Sequence, residues 1–168
     1  MASADGPEIR EVIESDVPFF YEFQSDPESA AMATFTPKDL DAVKRRWRAI
    51  MADDQITART IVVAGEVAGC VMAWTADEGH REVGYWLGRQ FWGRGVATAS
   101  LAEFVAIDPH RPMWARVSPP NLGSARVLEK NGFGYEGEAD GYRVFTLRGP
   151  MPQAFPARAG YDGIPSPS

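Results

Sequence analysis

Hydrophobic and polar positions recur at two periods along this 168-residue chain. A period of two marks half-buried strands, and a period near 3.6 marks amphipathic helices. Residues 8–13, Glu-Ile-Arg-Glu-Val-Ile, predict a first strand. Ser15 or Asp16 then caps a helix with Pro18 in its first turn and Phe19, Phe20 and Phe23 on its apolar face. That helix stops near Asp26-Pro27. Thr36-Pro37-Lys38-Asp39 opens a second helix, carried by Leu40, Val43, Trp47, Ile50 and Met51, with Arg45, Arg46 and Arg48 on its solvated side. Residues 59–64 and 67–75 predict two strands of a hairpin turning at Gly65-Glu66. Asp77-Glu78-Gly79-His80 is the next turn, in which His80 reads as an exposed residue.

The central stretch follows. Val83, Tyr85 and Leu87 alternate with Glu82, Gly84 and Trp86, which predicts a strand. Gly93-Arg94-Gly95 then leads into a helix reaching about Ile107, with Val96, Leu101, Phe104 and Val105 at helical spacing. Such a glycine turn exposes unpaired backbone N–H groups at the positive end of the helix dipole, which suits a phosphate. A plain tight turn satisfies the same pattern. A dinucleotide site does not, because Thr98 stands where the third glycine is required and no acidic residue follows at the end of a second parallel strand. Beyond a break at Asp108-Pro109-His110-Arg111-Pro112, residues 113–118 read as a strand and 122–130 as a helix ended by Asn131-Gly132. Residues 133–138 and 142–147 close the pattern as two strands around Asp140-Gly141.

The pattern divides the chain into a loose start (1–7), one domain (8–148) and a proline-rich tail (149–168) whose Phe155 and Tyr161 offer docking groups. Hydrophobic content of 45% and charged content of 24% fit an ordinary globular domain large enough for a core. No apolar run approaches a membrane span, and the N-terminus lacks a signal-peptide pattern, so a cytoplasmic protein with no membrane partner is expected. The single Cys70 sits in an apolar strand and reads as a core thiol; with two histidines, no metal site is expected. The net charge of −6 speaks against nucleic acid. Residues 1–88 hold 8 Lys/Arg against 16 Asp/Glu, and residues 89–168 hold 9 against 7. The acidic half would attract a cationic partner or is simply a solvated surface.

The order of elements is mixed α/β with local antiparallel pairing. Two blocks of it resemble the GNAT N-acetyltransferase superfamily, in particular the branch with the bacterial ribosomal-protein N-terminal acetyltransferases. The first is Glu82-Val83-Gly84-Tyr85-Trp86-Leu87 through Phe91-Trp92-Gly93-Arg94-Gly95-Val96-Ala97-Thr98; the second is Asn121-Leu122-Gly123-Ser124-Ala125-Arg126-Val127-Leu128-Glu129-Lys130-Asn131-Gly132-Phe133. Their order and separation are those of the family, and the likeness spans residues 8–148. It implies a mostly antiparallel six- to seven-stranded sheet with a central splay, flanked by about four helices. It also implies acetyl-CoA as acyl donor, with no metal. The family's Gln/Arg-x-x-Gly-x-Gly/Ala pyrophosphate motif falls on Trp92-x-x-Gly95-x-Ala97. Trp92 departs from Gln/Arg, which costs little if the amides of Gly93, Arg94, Gly95, Val96, Ala97 and Thr98 hold the phosphates, with charge from Arg89 and Arg94.

By the same resemblance Leu87 and Gly88 would pair with the pantetheine arm and polarise the thioester carbonyl. Asn121 would contact the donor and Ser124 the sulfur, with helix capping and backbone satisfaction as the structural alternatives. Leu128 stands where many relatives carry a tyrosine acid, so that step cannot be copied. Glu82 is the chosen base, with Glu136, Glu138, Asp140, Tyr135 and Tyr142 as rivals on the late hairpin. Phe19, Phe20, Phe23, Phe35 and Trp47 read as acceptor wall or as core. The expected activity is acetyl transfer to a primary amine, on a protein N-terminus or a small molecule. The alternative is a non-catalytic acyl-CoA-binding or sensing domain. Oligomeric state is left open, a homodimer included.

Overall fold

The computed structural model describes residues 6–33, 39–76 and 79–148. Seven strands form one sheet in the order β1-β2-β3-β4-β5-β7-β6. They are β1 (Glu8–Glu11), β2 (Thr57–Val63), β3 (Glu66–Thr75), β4 (Arg81–Leu87), β5 (Met113–Val117), β6 (Gly134–Ala139) and β7 (Tyr142–Leu147). Every neighbouring pair is antiparallel except β4 with β5. The helices are α1 (Val17–Ser25), α2 (Pro27–Ala33), α3 (Leu40–Ala52), α4 (Val96–Ile107) and α5 (Leu122–Lys130).

The expected α/β architecture with a splayed, mostly antiparallel sheet is thus the one observed, with a fifth helix added. The addition is α2. Asp26-Pro27, read as a stop, is also a start: the Asp26 carboxylate accepts from the Ser29 hydroxyl at 2.9 Å and its N–H at 3.3 Å. Asp39 caps α3 by accepting from the Ala42 N–H at 2.9 Å. The first hairpin turns one residue earlier than expected, at Ala64 and Gly65, both at positive φ. Thr36, Pro37 and Lys38 of the expected helix start, Asp77 and Glu78, residues 1–5 and the tail lie outside the described residues.

Strand register sorts the side chains onto two faces. Cys70, Met72 and Trp74 on β3 stand opposite Trp86, Gly84 and Glu82 on β4, and Glu82 stands beside Trp114. Phe20, Phe23 and Trp47 join the same buried core as Cys70, Met72 and Trp86. The Phe20 and Trp47 rings meet at 4.8 Å. These aromatics are core, as the simpler reading held; Phe19 is 45% exposed, and Phe35 lies outside the described residues. Cys70 is fully buried, and loss of hydration pushes its thiol up to about 12.

Gly69 sets how closely β4 approaches β3. A Cβ there would lie 2.0 Å from the Trp86 carbonyl oxygen and 2.9 Å from the Leu87 Cα, so the contact is with backbone. Gly69→Ala must therefore push β4 away. We expect it to cost about 1–3 kcal/mol in urea unfolding; an unchanged midpoint would show that the strand gives way freely.

Two buried carboxylates tie the sheet together. Asp16 accepts both Arg10 nitrogens at 2.8 Å, the Thr60 hydroxyl at 2.7 Å and the Ile13 N–H at 3.0 Å. Asp108 accepts from Arg81 at 2.5 and 3.0 Å, while Arg81 also reaches the Gln55 carbonyl at 2.6 Å. Burial pushes both carboxyls up, but these hydrogen bonds and charges outweigh it and hold both below the usual carboxylate range. A folded pKa below the unfolded one gives stability that is complete above about pH 4 and is lost as pH falls through the folded values. The urea midpoint should accordingly drop below about pH 4. A midpoint flat into stronger acid would remove these pairs from the account.

Candidate active site

The site begins where β4 and β5 part. Their bridges are Arg81 with Met113 and Glu82 with Trp114, and pairing ends there. β4 continues to Leu87 against β3 alone, and β5 continues to Val117 against β7 alone. A wedge opens between them with Glu82 at its apex. The Gly88 N–H donates to the Ala68 carbonyl at 2.8 Å. The alternation of an antiparallel ladder then turns the backbone groups of Leu87 toward the wedge.

At the mouth of the wedge the chain makes one 3-10 turn (Arg89–Phe91) and enters α4 through Gly93 and Gly95, at φ of +69° and +73°. Gly95 is the N-cap residue of α4, and the first helical bond runs from the Ala99 N–H to its carbonyl at 3.1 Å. The amides of Val96, Ala97 and Thr98 precede that bond, at the positive end of the helix. A Cβ on Gly95 would meet nothing within 4 Å, so this glycine is required by its φ and not by a close neighbour. A helix N-terminus with a left-handed glycine fits a pyrophosphate.

The loop is held from inside. The Trp92 indole N–H donates to the Leu87 carbonyl at 3.0 Å, a closing contact that the mismatch to Gln/Arg concealed. Phe23 lies against Gly88, where a Cβ would come within 2.8 Å of its ring. The two arginines are placed differently from expectation. Arg89 pairs with Asp26 at 3.4 Å and with Glu28, so its charge is spent on the start of α2. Arg94 lies 5.6 Å over the Phe91 ring and lines a cleft of about 730 Å³ with Arg10, Asp16 and Glu22, outside the wedge.

Ser124 and Asn121 stand at the start of α5, facing β4. The Asn121 side chain accepts from the Ser124 N–H at 3.1 Å, so it does cap the helix. Ser124 is fully buried, and its hydroxyl accepts from the Tyr85 O–H at 2.9 Å. Burial pushes the Tyr85 phenol up, against the Ser124 contact, which keeps it a donor. Leu128 is buried one helical turn further on.

Glu82 is 2% exposed. The Arg116 Nε donates to its Oε1 at 3.3 Å. Loss of hydration pushes the Glu82 carboxyl above its ordinary range, against the pull of Arg116 and His80. Arg116 is the residue that the sequence reading passed over; its signal was a lone charge inside the apolar run Met113-Trp114-Ala115-Arg116-Val117. The rival groups fare differently. Glu136 accepts from Thr146 at 2.6 Å and from Arg148 at 2.6 and 2.9 Å, and these hold its carboxyl below the usual range. Glu138 and Asp140 are exposed, and Tyr142 is half-buried. Tyr135 is 52% exposed beneath Arg143. Among the described residues no three His, Cys, Asp or Glu side chains are placed to share a metal, and no helix is long and apolar enough to cross a membrane.

The sheet thus splays over a helix N-terminus, with a buried carboxylate at the apex of the splay. The family model described as an acetyltransferase (GNAT) domain matches residues 8–134, and the chain belongs to that family. Solved structures share the fold. Aminoglycoside acetyltransferase AAC(6')-Ib, in complex with coenzyme A and kanamycin, superposes with a TM-score of 0.69 at 23% identity, over 84% of this chain and 93% of its own. RimL, a ribosomal L7/L12 alpha-N-protein acetyltransferase in complex with coenzyme A, gives 0.72 at 18% identity over 85% and 94%. An acetyltransferase from Thermus thermophilus gives 0.72 at 19% over 84% and 96%. No curated protein matches the sequence.

Proposed function

We propose that this chain transfers the acetyl group of acetyl-CoA to a primary amine by direct attack on the thioester. The observation that carries the reading is the β4–β5 wedge, which opens from a buried carboxylate at its apex to a helix N-terminus at its mouth. In this reading the amides of residues 93–98 hold the pyrophosphate, and the Leu87 backbone faces the pantetheine arm; Gly88, expected beside it, has its N–H on the Ala68 carbonyl and its carbonyl on the Phe91 N–H. The neutral amine attacks the carbonyl carbon and forms the new C–N bond. The carbonyl oxygen takes up charge facing the Leu87 N–H. The C–S bond breaks, the thiolate leaves with the pair, and Glu82 receives the nitrogen's proton. Ser124, held by Tyr85, faces the departing sulfur. A raised carboxyl pKa suits a base, because it brings the group nearer the operating pH.

The acceptor is a primary amine on a protein N-terminus or a small molecule. The AAC(6')-Ib and RimL structures carry names of both kinds, and the acidic N-terminal half favours a cationic one. A second reading, a non-catalytic acyl-CoA sensor, draws on Leu128 standing where a tyrosine acid is common and on Glu82 being tied to Arg116. The cofactor class is tested by thermal shift. At 100 times its dissociation constant, a ligand of the native state adds about 2.7 kcal/mol, or about 5–10 °C for a chain of this size. Acetyl-CoA should produce that shift and NAD none; no shift with any CoA ester would sink both readings.

A further inference from the structure

We propose that Arg116 selects the acceptor: an amine whose neighbouring carbon bears a carbonyl or carboxylate, that is, an α-amino acyl terminus of a peptide or a free amino acid. The inference rests on the transfer reading above and on Glu82 as the group that meets the amine. Arg116 lies two residues past the last β4–β5 bridge, on the β5 wall of the wedge and on the same face as Glu82. Its side chain is 2% exposed, and its Nε is committed to Glu82. Among the described residues its Nη1 has no hydrogen-bond partner, although it is buried. Glu136, on the same face, is engaged by Thr146 and Arg148 and does not answer it.

A buried charged N–H without an acceptor is costly, and few such groups persist in folded proteins. The guanidinium is a planar, rigid fork, so an oxygen at Nη1 is held at a fixed offset from the carboxylate at Nε. In an α-amino acyl group the nitrogen and the carbonyl carbon share one carbon, a short and stiff arrangement that can span the two. A polyamine offers no oxygen there. An amino sugar offers only a hydroxyl, a poorer acceptor for a cation.

The test compares acceptors matched in size: alanine tripeptide, alanine, isopropylamine, spermidine and kanamycin, with rates referred to the unprotonated amine. Leaving the donor unmet should lower kcat/KM by about 10- to 100-fold. Alanine or its tripeptide should therefore exceed isopropylamine by that factor, chiefly through KM. The ratio between the two tells a carboxylate from a peptide carbonyl. Equal rates for isopropylamine, spermidine or kanamycin would overturn the proposal. Arg116→Lys keeps a cation beside Glu82 but removes the fork, so the selectivity should collapse while the pH profile of kcat stays in place; retained selectivity would also overturn it. Should no amine turn over, the transfer reading fails, and selectivity is read from binding instead. With CoA present, N-acetylalanine amide should bind at least about tenfold tighter than N-isopropylacetamide; equal affinities would sink the inference by itself.

Discussion

Replacing Glu82 by Gln lowers kcat by about 10²- to 10⁴-fold, the usual contribution of a positioned general base, while the affinity for acetyl-CoA stays within about twofold. The split follows from geometry. Glu82 stands at the apex of the wedge, and the amides proposed to hold the phosphates stand at its mouth, on the first turn of α4. The substitution is close to isosteric, but it leaves Arg116 buried without its counter-charge, and removing one partner of a buried pair is destabilising. Kinetics should therefore be measured well below the variant's own melting temperature. The pH dependence is the sharper readout. A carboxyl raised by burial must lose its proton before it can accept one, so the wild-type rate rises through a pKa above the ordinary carboxylate range. That limb should vanish in Glu82→Gln. An unaltered profile, or a loss confined to KM, would move the base elsewhere.

Gly95→Val abolishes measurable CoA binding. The φ of +73° is one that β-branched residues avoid, and the new side chain would stand at the N-cap itself, next to the first amides of α4. Each hydrogen bond from an amide to a charged phosphate is worth about 1.5–3 kcal/mol, so losing two weakens binding by at least about 100-fold. The strained backbone costs a further 1–3 kcal/mol or so of stability. Circular dichroism at the assay temperature separates the two effects. Calorimetry on a folded variant that still binds CoA with unchanged affinity would mean that the phosphate loop lies elsewhere.

Most of the fold was legible because its signals are local. The α4 and α5 boundaries follow from helical spacing bracketed by glycine, asparagine and proline, and β7 from a run of β-branched and aromatic residues after Asp140-Gly141. The glycine turn ahead of α4 was legible for the same reason: positive φ at Gly93 and Gly95 is written in the residue type. Where two signals overlapped, one hid the other. Asp26-Pro27 ended α1 and began α2 within two residues. Long-range pairings left less trace. Nothing near Arg89 in the sequence points to Glu28, 61 positions away, and nothing near Glu82 points to Arg116, 34 away. Gly69 looked like any strand glycine, since its requirement is the backbone of β4 and not its own φ. Ser124 was singled out, but its partner Tyr85 was read only as a strand residue.

The central claim is acetyl transfer at the apex of the wedge. It is tested most directly by incubating the protein with acetyl-CoA and a mixed panel of peptides, amino acids, polyamines and aminoglycosides, and following free thiol and product mass together. The expected result is stoichiometric release of CoA with an acetylated amine as its counterpart, lost in Glu82→Gln. Tight acetyl-CoA binding without thiol release, across the whole panel and a cell lysate, would contradict it and leave a binding domain with the family's fold.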